Sequence, residues 1–364
     1  PKTPKPHLVS LLILVKICIK NCIMNIINTF KLSICIPTYN RPIHLENCLE
    51  SIYISKKNCK NFNFEVCVSD NGSKHNISKI VKKYSKKFNI KFNKFDRNLG
   101  ITPNFLKVVD MAEGEFVWTI GNDDLLLPYS LNKISKILNK YKNTDYFYIN
   151  SFNLNSSYLE KYKHPFSTYN LPNKMERFSK IKKSKSTTFW DIIDPDISFD
   201  FLLGMFLSLF RRKLWDENVK FINLKNARDK RWMSTPDNTY FNIIIFANAF
   251  KNSKAYYQAE PLSVNLAGIR EWKVMYMFIM IVRIPGILDY YRSRGLPFKR
   301  YYLCKNFALR DFARSMASIY LSKDKRSMNY FNFWSHIAKN LIFINVYLSP
   351  FYYFFTRLKR TFKL

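Results

Sequence analysis

The stretch LSICIPTYNR, residues 32–41, contains the pattern that decides the fold. Its first half, Leu32-Ser-Ile-Cys-Ile36, is a continuous apolar run, and Pro37 ends it. Continuous rather than alternating apolar character is typical of a strand buried on both faces of a parallel sheet. The second half, Pro37-Thr-Tyr-Asn-Arg41, is a polar loop that we expect at the carboxyl end of this strand.

A strand followed by a helix recurs through residues 32–150. Further strands are predicted at Phe64–Val68, at Ile90 to Phe92, at Glu115–Ile120 and at Asp145–Asn150. Apolar residues at helical spacing between them predict amphipathic helices over Leu45–Ile52, Ile77–Phe88, Phe105–Ala112 and Leu131–Leu138. This alternation predicts an α/β fold whose parallel sheet is covered by helices on both faces.

Polar clusters follow three of the predicted strands: Pro37-Thr-Tyr-Asn-Arg41, Ser69-Asp-Asn-Gly-Ser73 and Gly121-Asn-Asp-Asp124. Open α/β sheets bind ligands at the carboxyl ends of their strands, so we expect the clusters to share one rim. Tyr39 offers a plane for a base, Asp70 can accept from base or ribose, and Asp123 with Asp124 suits a cation that bridges to diphosphate. Taken singly, the clusters are equally typical of a loop, a turn and a helix N-cap.

Four segments, in order, resemble family 2 glycosyltransferases of the GT-A fold: Ser33–Arg41, Val68–Ser73, Arg97–Gly100 and Gly114–Pro128. The run from Asn98 through Pro128 is most similar to the bacterial abequosyltransferase-like branch, which decorates surface polysaccharide. The resemblance covers residues 32–150. It implies a Rossmann-like GT-A domain with a mostly parallel mixed sheet, and an enzyme that uses a nucleotide sugar.

The resemblance also implies roles for individual residues. Asn122-Asp123-Asp124 stands where the family carries its DxD-type metal motif, with Asn122 where the family often has Asp. We therefore expect Asp124 to be the leading ligand of Mn²⁺ or Mg²⁺, and Asp123 to meet ribose or diphosphate. The residues implied to contact the nucleotide sugar are Pro37, Thr38, Tyr39, Arg41, Asp70, Asn98, Asn122 and Asp123.

The second half of the chain resembles the family more faintly. Gly204–Trp215 is similar to the acceptor-side strand and the basic residues that follow it. Thr235-Pro-Asp237 precedes an amphipathic helix at about the distance where the family places its catalytic carboxylate. Asp237 is therefore the expected catalytic base, and a helix N-cap is its structural alternative. The reserve candidates are Asp229, Asp194 and Asp196.

The expected activity is transfer of a sugar from a nucleoside-diphosphate sugar to a hydroxyl of a glycan or lipid-linked acceptor, in surface polysaccharide or glycan synthesis. One base without a covalent nucleophile gives inversion, and a divalent cation stabilises the leaving group. A non-catalytic sugar-nucleotide-binding protein of the same fold is the main alternative. A processive polysaccharide synthase is disfavoured because several long apolar spans and a QxxRW-like motif are not seen.

The composition limits the classes of partner. A formal net charge of +33 favours polyanions such as nucleic acid, acidic lipid headgroups or phosphate-bearing substrates. AT-rich codons would also supply the many Lys, Asn, Ile, Phe and Tyr residues, so charge alone does not select a partner. No nucleic-acid-binding motif is present, and we expect no nucleic-acid partner. No GxxxxGK[ST] or GxGxxG run occurs, which excludes a P-loop and a standard dinucleotide fingerprint.

The cysteines favour a reduced protein. No CxxC pair occurs, Cys35 and Cys67 lie in predicted strands, and Cys48 lies on the apolar stripe of a predicted helix. Buried thiols are therefore favoured over disulfides or a zinc site, which fits a cytoplasmic location.

The predicted domain organisation has three parts. Residues 31–265 are the GT-A domain, with a variable insertion at 151–200. Residues 266–364 form a helical, basic and aromatic region that favours contact with an acidic membrane surface, at the inner face of the plasma membrane; an aromatic core or oligomer contact is the alternative. Residues 1–30 are interpreted as a leader or translated upstream sequence before Met24, or as a membrane anchor, although the apolar run Leu8–Ile19 is short for a span.

Overall fold

The computed structural model describes residues 30–231, 233–268, 275–322, 326 and 328–361. Within these ranges one mixed sheet contains ten strands, in the order β3-β2-β1-β4-β9-β6-β10-β5, with β7 paired to β6 and β8 paired to β10. The strands are β1 (Leu32–Thr38), β2 (Phe64–Asp70), β3 (Ile90–Lys94), β4 (Phe116–Thr119), β5 (Asp124–Leu126), β6 (Tyr146–Asn155), β7 (Glu176–Arg177), β8 (Lys185–Thr188), β9 (Ser208–Arg211) and β10 (Lys254–Ala267).

The first half of the sheet is parallel. Strands β3, β2, β1 and β4 are neighbours in that order, and each pair runs in the same direction. Every residue of β2 is buried, and β1 is buried except at Pro37, as their continuous apolar runs predicted. Thr38 pairs with Asp70, so that β1 and β2 end side by side and their following loops leave from the same rim.

Helices cover both faces of this half, which confirms the predicted α/β layering. They are α1 (Pro42–Lys57), α2 (Ile77–Ser85), α3 (Ile101–Asp110) and α4 (Ser130–Lys140). Successive side chains of a strand point to opposite faces. Ile34 and Ile36 therefore join one core with Leu45 of α1, while Cys35 joins the other core with Val108 of α3.

The second half of the sheet is mostly antiparallel. Strand β9 pairs antiparallel with both β4 and β6, and β10 runs parallel to β6 but antiparallel to β5. Strand β10 has 14 residues and a register shift between Gln258 and Ser263. The sequence patterns predicted neither β5 nor β10, although together they hold the last part of the Gly121–Asp124 cluster in place.

The predicted insertion at residues 151–200 contributes to the sheet. Its first residues extend β6 to Asn155, and β7 and β8 add short pairings to β6 and β10. A short helix, α5 (Phe189–Ile192), follows β8 and begins with a capping box in which Thr188 and Asp191 satisfy each other's backbone amides. The region is therefore ordered by side-chain capping and edge pairing, which leave no strong apolar periodicity in the sequence.

The chain after β9 is mainly helical, apart from β10. The helices are α6 (Arg212–Asn218), α7 (Leu224–Ala227), α8 (Pro236–Thr239), α9 (Phe241–Ala249), α10 (Tyr276–Phe278), α11 (Ile284–Ser293), α12 (Phe298–Ala308), α13 (Phe312–Leu321), α14 (Phe333–His336) and α15 (Ile344–Thr361). Apolar residues of α9 and α11 share one core, so the C-terminal helices pack directly on the sheet domain. No helix in the described ranges is both long and apolar enough to cross a membrane. The predicted leader or anchor lies outside the described residues.

The predicted burial of Cys35, Cys48 and Cys67 is confirmed. Cys35, Cys48, Cys67 and Cys304 are buried and free, and Cys59 is half-buried and free. Cys18 and Cys22 lie outside the described residues.

Candidate active site

The loops after β1 and β2 are joined by Asn40. Its backbone amide donates to Ser73 Oγ at 2.7 Å, and its side-chain Oδ1 accepts from the Lys74 amide at 2.9 Å. Asn40 adopts a left-handed conformation with φ 52°, which Asn tolerates better than most residues. The half-buried Tyr39 precedes it, so this contact fixes the Tyr39 loop beside the loop that begins at Asp70.

Asp70 ends β2 and is completely buried. Its Oδ1 accepts from the backbone amide of Ser73 at 3.0 Å and from the Ser73 hydroxyl at 2.5 Å. Its Oδ2 is also buried but has no hydrogen-bond partner in the protein. A buried carboxylate oxygen without a donor is costly, so this atom is the strongest sign of a missing ligand at the rim.

Asn71 connects this loop to the one that contains Asn98. Its amide nitrogen donates to Asn98 Oδ1 at 2.9 Å and to the Gly100 carbonyl at 3.0 Å, and its Oδ1 accepts from the Leu99 amide at 2.9 Å. Gly72 follows with φ 76°, and a Cβ there would lie 2.6 Å from the carbonyl carbon of Arg97. The two loops therefore approach as closely as the absence of a side chain allows.

The third polar cluster meets the first through two side-chain contacts. Asn122 Nδ2 donates to Thr38 Oγ1 at 2.8 Å, and Arg41 pairs with Asp123 Oδ2 at 3.1 Å. All three polar clusters thus lie on one rim of the sheet, as their positions after the strands predicted. Arg41 and Asp123 both remain partly accessible, with about a fifth of each side chain exposed.

The two acids of the third cluster have different surroundings. Asp124 is 1% exposed, its Oδ2 accepts from the Gly121 amide at 2.6 Å, and its Oδ1 accepts from Asn265 Nδ2 at 2.9 Å. A Cβ on Gly121 would lie 2.6 Å from Asp123 Oδ1 and 3.0 Å from Asp124 Oδ2, so both carboxylates border the same bare stretch of backbone. Asp124 belongs to the sheet through β5, whereas Asp123 faces the accessible side.

Asp237, the expected catalytic base, lies in α8 and is 8% exposed. Its Oδ1 accepts from the Asn223 amide at 2.8 Å, and its Oδ2 accepts from Asn226 Nδ2 at 3.3 Å. Its backbone carbonyl accepts from Thr102 at the start of α3, the helix whose Asn104 contacts the Thr38 carbonyl. The N-cap of α8 is Thr235 rather than Asp237, so the structural alternative considered for Asp237 is wrong.

The reserve candidates differ from Asp237 in their charge partners. Asp229 pairs with Arg231 at 2.7 Å, and this hydrogen bonding lowers its pKa well below the usual value. Asp194 pairs with Arg300 at 3.2 Å, and Asp196 is exposed. Within the described residues, the donors to the Asp237 carboxylate are the uncharged Asn223 amide and Asn226 Nδ2, so Asp237 is not held in an ion pair as Asp229 and Asp194 are.

Two further titratable groups lie behind the Asp123–Asp124 pair. Burial lowers the pKa of His44, although the nearby Asp123 opposes this, so the ring is neutral at neutral pH. Burial, with Asp124 next, raises the pKa of the Cys48 thiol well above its usual value. Cys48 is therefore a protonated core residue and not a nucleophile.

A family model matches the part of the chain that contains the rim. Residues 33–206 match the model of the family described as Glycosyl transferase family 2. The chain carries a family 2 glycosyltransferase domain. The match includes Tyr39, Asp70 and the Asp123–Asp124 pair but ends before Asp237.

Curated relatives match over a shorter length of the chain than the family model does. Abequosyltransferase RfbV from Salmonella typhimurium is 38% identical over 102 residues, 28% of this chain and 30% of the relative. Poly(ribitol-phosphate) beta-N-acetylglucosaminyltransferase TarS from Staphylococcus aureus is 30% identical over 112 residues, 30% of this chain and 19% of the relative. The matched segment thus spans about a third or less of each relative's length.

The fold of the family 2 domain is also that of solved glycosyltransferases. The structure of S. aureus TarS residues 1–349 in complex with UDP-GlcNAc superposes with a TM-score of 0.57 at 18% identity, covering 83% of this chain and 78% of that one. At this identity the likeness establishes the fold alone, which is the GT-A fold that the motifs implied.

Several residues that build the rim of the family 2 domain were not predicted. Asn71, Asn104 and Asn265 hold Asn98, the Thr38 carbonyl and Asp124 in place. Asn71 lies within the quoted Ser69–Ser73 cluster, so its position was visible but its partner was not. Asn265 belongs to the unpredicted β10, and only the sheet pairing places it opposite Asp124.

Proposed function

We propose that this chain transfers a sugar from a nucleoside-diphosphate sugar to a hydroxyl acceptor. The observation that carries the proposal is the buried, unpartnered Oδ2 of Asp70, at the point where three strand-end loops of a family 2 domain meet. The names of the relatives support sugar transfer, and the UDP-GlcNAc complex of TarS supports a nucleotide-sugar donor.

The donor is proposed to lie along the rim from Asp70 to Asp123. Asp70 Oδ2 accepts a hydrogen bond from the base or ribose, and Tyr39 stacks against the base. Arg41 is a partly exposed cation beside Asp123, so it can contact the diphosphate. The remaining proposed contacts with the nucleotide sugar come from Pro37, Thr38, Asn98 and Asn122.

A divalent cation, Mn²⁺ or Mg²⁺, fits the acids of this rim in a limited way. Within the described residues no group of three or more His, Cys, Asp or Glu side chains could hold a metal ion. One or two carboxylates completed by substrate phosphates are nevertheless the usual setting for Mg²⁺. Both oxygens of Asp124 already accept hydrogen bonds, so Asp123 is the better placed ligand and Asp124 supports it from the sheet. When bound, the cation would stabilise negative charge on the leaving diphosphate.

Asp237 is proposed as the base. The acceptor oxygen forms a bond to the anomeric carbon while the bond from that carbon to the diphosphate oxygen breaks. The hydroxyl proton passes to the Asp237 carboxylate, and the electron pair leaves with the nucleoside diphosphate. Attack opposite to the leaving group inverts the anomeric configuration, and no covalent intermediate is required.

The acceptor is proposed to be a glycan or a lipid-linked glycan in surface polysaccharide synthesis. In support, one relative is named as an abequosyltransferase and another as an N-acetylglucosaminyltransferase that acts on poly(ribitol-phosphate). The proposal keeps the expected cytoplasmic location, with the basic C-terminal region against the acidic inner face of the plasma membrane.

A thermal-shift screen tests donor binding. The chain is heated with UDP-, GDP-, CDP- and dTDP-sugars, each with and without Mn²⁺. A ligand that binds only the folded chain raises the midpoint through linkage, by about 2.7 kcal/mol of stabilisation at a hundredfold excess over Kd. Stabilisation by one nucleotide class identifies the donor, and no stabilisation by any of them contradicts the proposal.

Asp237→Asn tests the chemical step. We expect kcat to fall about 1,000-fold while donor affinity stays unchanged, because a general base is lost and the Asp70 rim is intact. Asp229→Asn is the matched control: it makes the same change in the same segment, but at a carboxylate already paired with Arg231. Unchanged turnover in Asp237→Asn removes that residue from the mechanism. Donor binding by the wild type without any transfer would favour the non-catalytic alternative.

A further inference from the structure

The last described helix, α15 (Ile344–Thr361), presents its large apolar side chains to solvent. Ile344, Tyr347, Leu348, Phe351 and Phe355 recur at the spacing of one helical face, and each is more than a third exposed. Tyr352 and Phe354 flank this stripe and are also exposed. We call these seven residues the apolar outer face.

The opposite face of α15 is small and polar, and it packs on the protein. Ser349 is 1% exposed and accepts from the Ala313 amide at 3.0 Å. Asn345 Nδ2 donates to the Asn306 carbonyl at 2.7 Å. Val346 is also buried on this face, in an apolar cluster with Leu309 and Phe343. The apolar stripe of a surface helix in a soluble domain normally faces the core, whereas the apolar stripe of α15 faces solvent.

The charge around the outer face is positive. From residue 327 to 364 the sequence contains no Asp or Glu, and Arg357, Lys359, Arg360 and Lys363 follow the outer face directly. The whole chain has a net charge of +33, so a second copy would be repelled from this end, whereas an anionic surface would be attracted. Aromatic side chains next to basic ones are characteristic of helices that lie in the headgroup region of a bilayer.

We propose that the apolar outer face of α15 docks this chain on a membrane surface that contains anionic phospholipid. The helix lies in the plane of the surface, because no helix of the described residues is both long and apolar enough to cross a membrane, and Pro350 interrupts its apolar run. The aromatic rings enter the headgroup boundary, and the positive charge of this part of the sequence attracts the helix to anionic lipid. This inference assigns the proposed membrane contact of the C-terminal region to one helix face, and it does not depend on the proposed sugar transfer.

Vesicle binding by the full chain tests this inference. The probes are vesicles of phosphatidylcholine alone and of phosphatidylcholine mixed equally with phosphatidylglycerol, with binding measured by co-sedimentation. We expect strong binding to the mixed vesicles, at least about tenfold weaker binding to phosphatidylcholine alone, and a loss of binding as salt is raised. Equal binding to both vesicles, or no binding to either, would overturn the proposal.

Matched serine substitutions locate the face. Phe351 is 62% exposed on α15 and Tyr169 is 66% exposed far from it in sequence, so Phe351→Ser and Tyr169→Ser remove similar exposed rings. We expect Phe351→Ser to weaken binding to mixed vesicles about fivefold, Phe351→Ser/Phe355→Ser to weaken it further, and Tyr169→Ser to leave it unchanged. Equal effects of all three variants would show that the outer face is not the docking surface.

A self-association measurement tests whether a second copy of the chain, and not a membrane, covers the apolar outer face. Sedimentation equilibrium of the wild type at the vesicle-binding concentration is expected to give a monomer. A dimer that Phe351→Ser/Phe355→Ser converts to a monomer, without vesicle binding by the wild type, would assign the face to a second copy and overturn the proposal. Circular dichroism checks that the variants keep the helical content of the wild type.

Discussion

The rim of the sheet and the C-terminal helix α15 differ in which side chains they bury and which they expose. At the rim, polar side chains are buried and almost fully hydrogen-bonded, as in the contacts of Asn71 and Asn122. On α15, apolar side chains are exposed and the buried side is polar. The rim holds its geometry through short bonds between loops, whereas the end of the chain leaves apolar area open to its surroundings.

This difference indicates which kind of ligand each region would bind. Among the described residues of the rim, Asp70 Oδ2 is a buried carboxylate oxygen without a hydrogen-bond donor, and the proposed nucleotide would supply one. The exposed rings of α15 would be removed from water by the proposed lipid surface. Binding at the rim depends on the position of individual polar atoms, whereas binding on α15 depends on total apolar area and charge. Single substitutions should therefore have large effects on binding at the rim and smaller, cumulative effects on α15.

Gly72→Ala should produce the largest loss of stability. The added Cβ would lie 2.6 Å from the Arg97 carbonyl carbon, and the φ of 76° strains any L side chain. We expect a loss of about 4 kcal/mol in the free energy of unfolding, and loss of donor binding because the Asp70 and Asn98 loops must separate. Urea denaturation and the donor thermal shift measure the two effects.

Gly295→Ala is the matched control in the C-terminal region. Its φ is 115°, but the nearest atom to the added Cβ is Trp190 Nε1 at 3.8 Å, so only backbone strain is introduced. The expected loss is about 1 kcal/mol with unchanged donor binding. Equal losses from the two alanine variants would show that the loop contact at Gly72 is not tight in solution.

Asp289→Asn should have the next largest effect, and it acts in the helical region. Asp289 pairs with the buried Lys305 and also accepts from Lys339 at 2.8 Å. Removing its charge leaves Lys305, which is 1% exposed, without a counterion, and we expect a loss of about 3 kcal/mol. The double variant Asp289→Asn/Lys305→Met should regain most of this loss in urea denaturation.

The pH dependence of stability gives a second readout for Asp289. Burial alone would raise its pKa, but Lys305 and Lys339 outweigh burial and hold the pKa below its usual value. A depressed folded-state pKa contributes stability that is present above the unfolded value, about 3.9, and is lost as the pH falls through the folded value. The wild type should therefore lose stability below about pH 4 more steeply than Asp289→Asn does, and parallel curves would contradict this assignment.

The parallel half of the fold was predictable because its signals are local. Continuous apolar runs at Leu32–Ile36 and Phe64–Val68 are long enough to identify buried strands, and helical spacing identifies α1 to α4. The sequence predicted that the loops carrying Tyr39, Asp70 and Asp124 converge on one rim, since parallel strands end at the same edge.

Strands β5 and β10 and the burial of Asp124 could not be predicted, because they depend on contacts between residues far apart in the sequence. Strand β10 includes Glu260 and Pro261, which weaken any strand signal, and a register shift lets the chain pass them. Strand β5 has three residues, too few for any periodicity. The burial of Asp124 follows from both strands through Asn265, so it could not be foreseen when the motif made Asp124 the expected leading metal ligand.

Asn71→Ala should have the smallest of these effects on stability and the clearest one on the rim. It removes the bonds to Asn98, to the Gly100 carbonyl and from the Leu99 amide, at an expected cost of about 2 kcal/mol. Asn93→Ala is the control, because Asn93 makes a single bond of 3.2 Å to Ser69 on the same strand pair, and it should cost less than about 1 kcal/mol. If the rim is held by its loop-to-loop bonds, Asn71→Ala also weakens donor binding in calorimetry and Asn93→Ala does not. Equal affinities in the two variants would mean that the strands, and not these bonds, fix the position of Asp70.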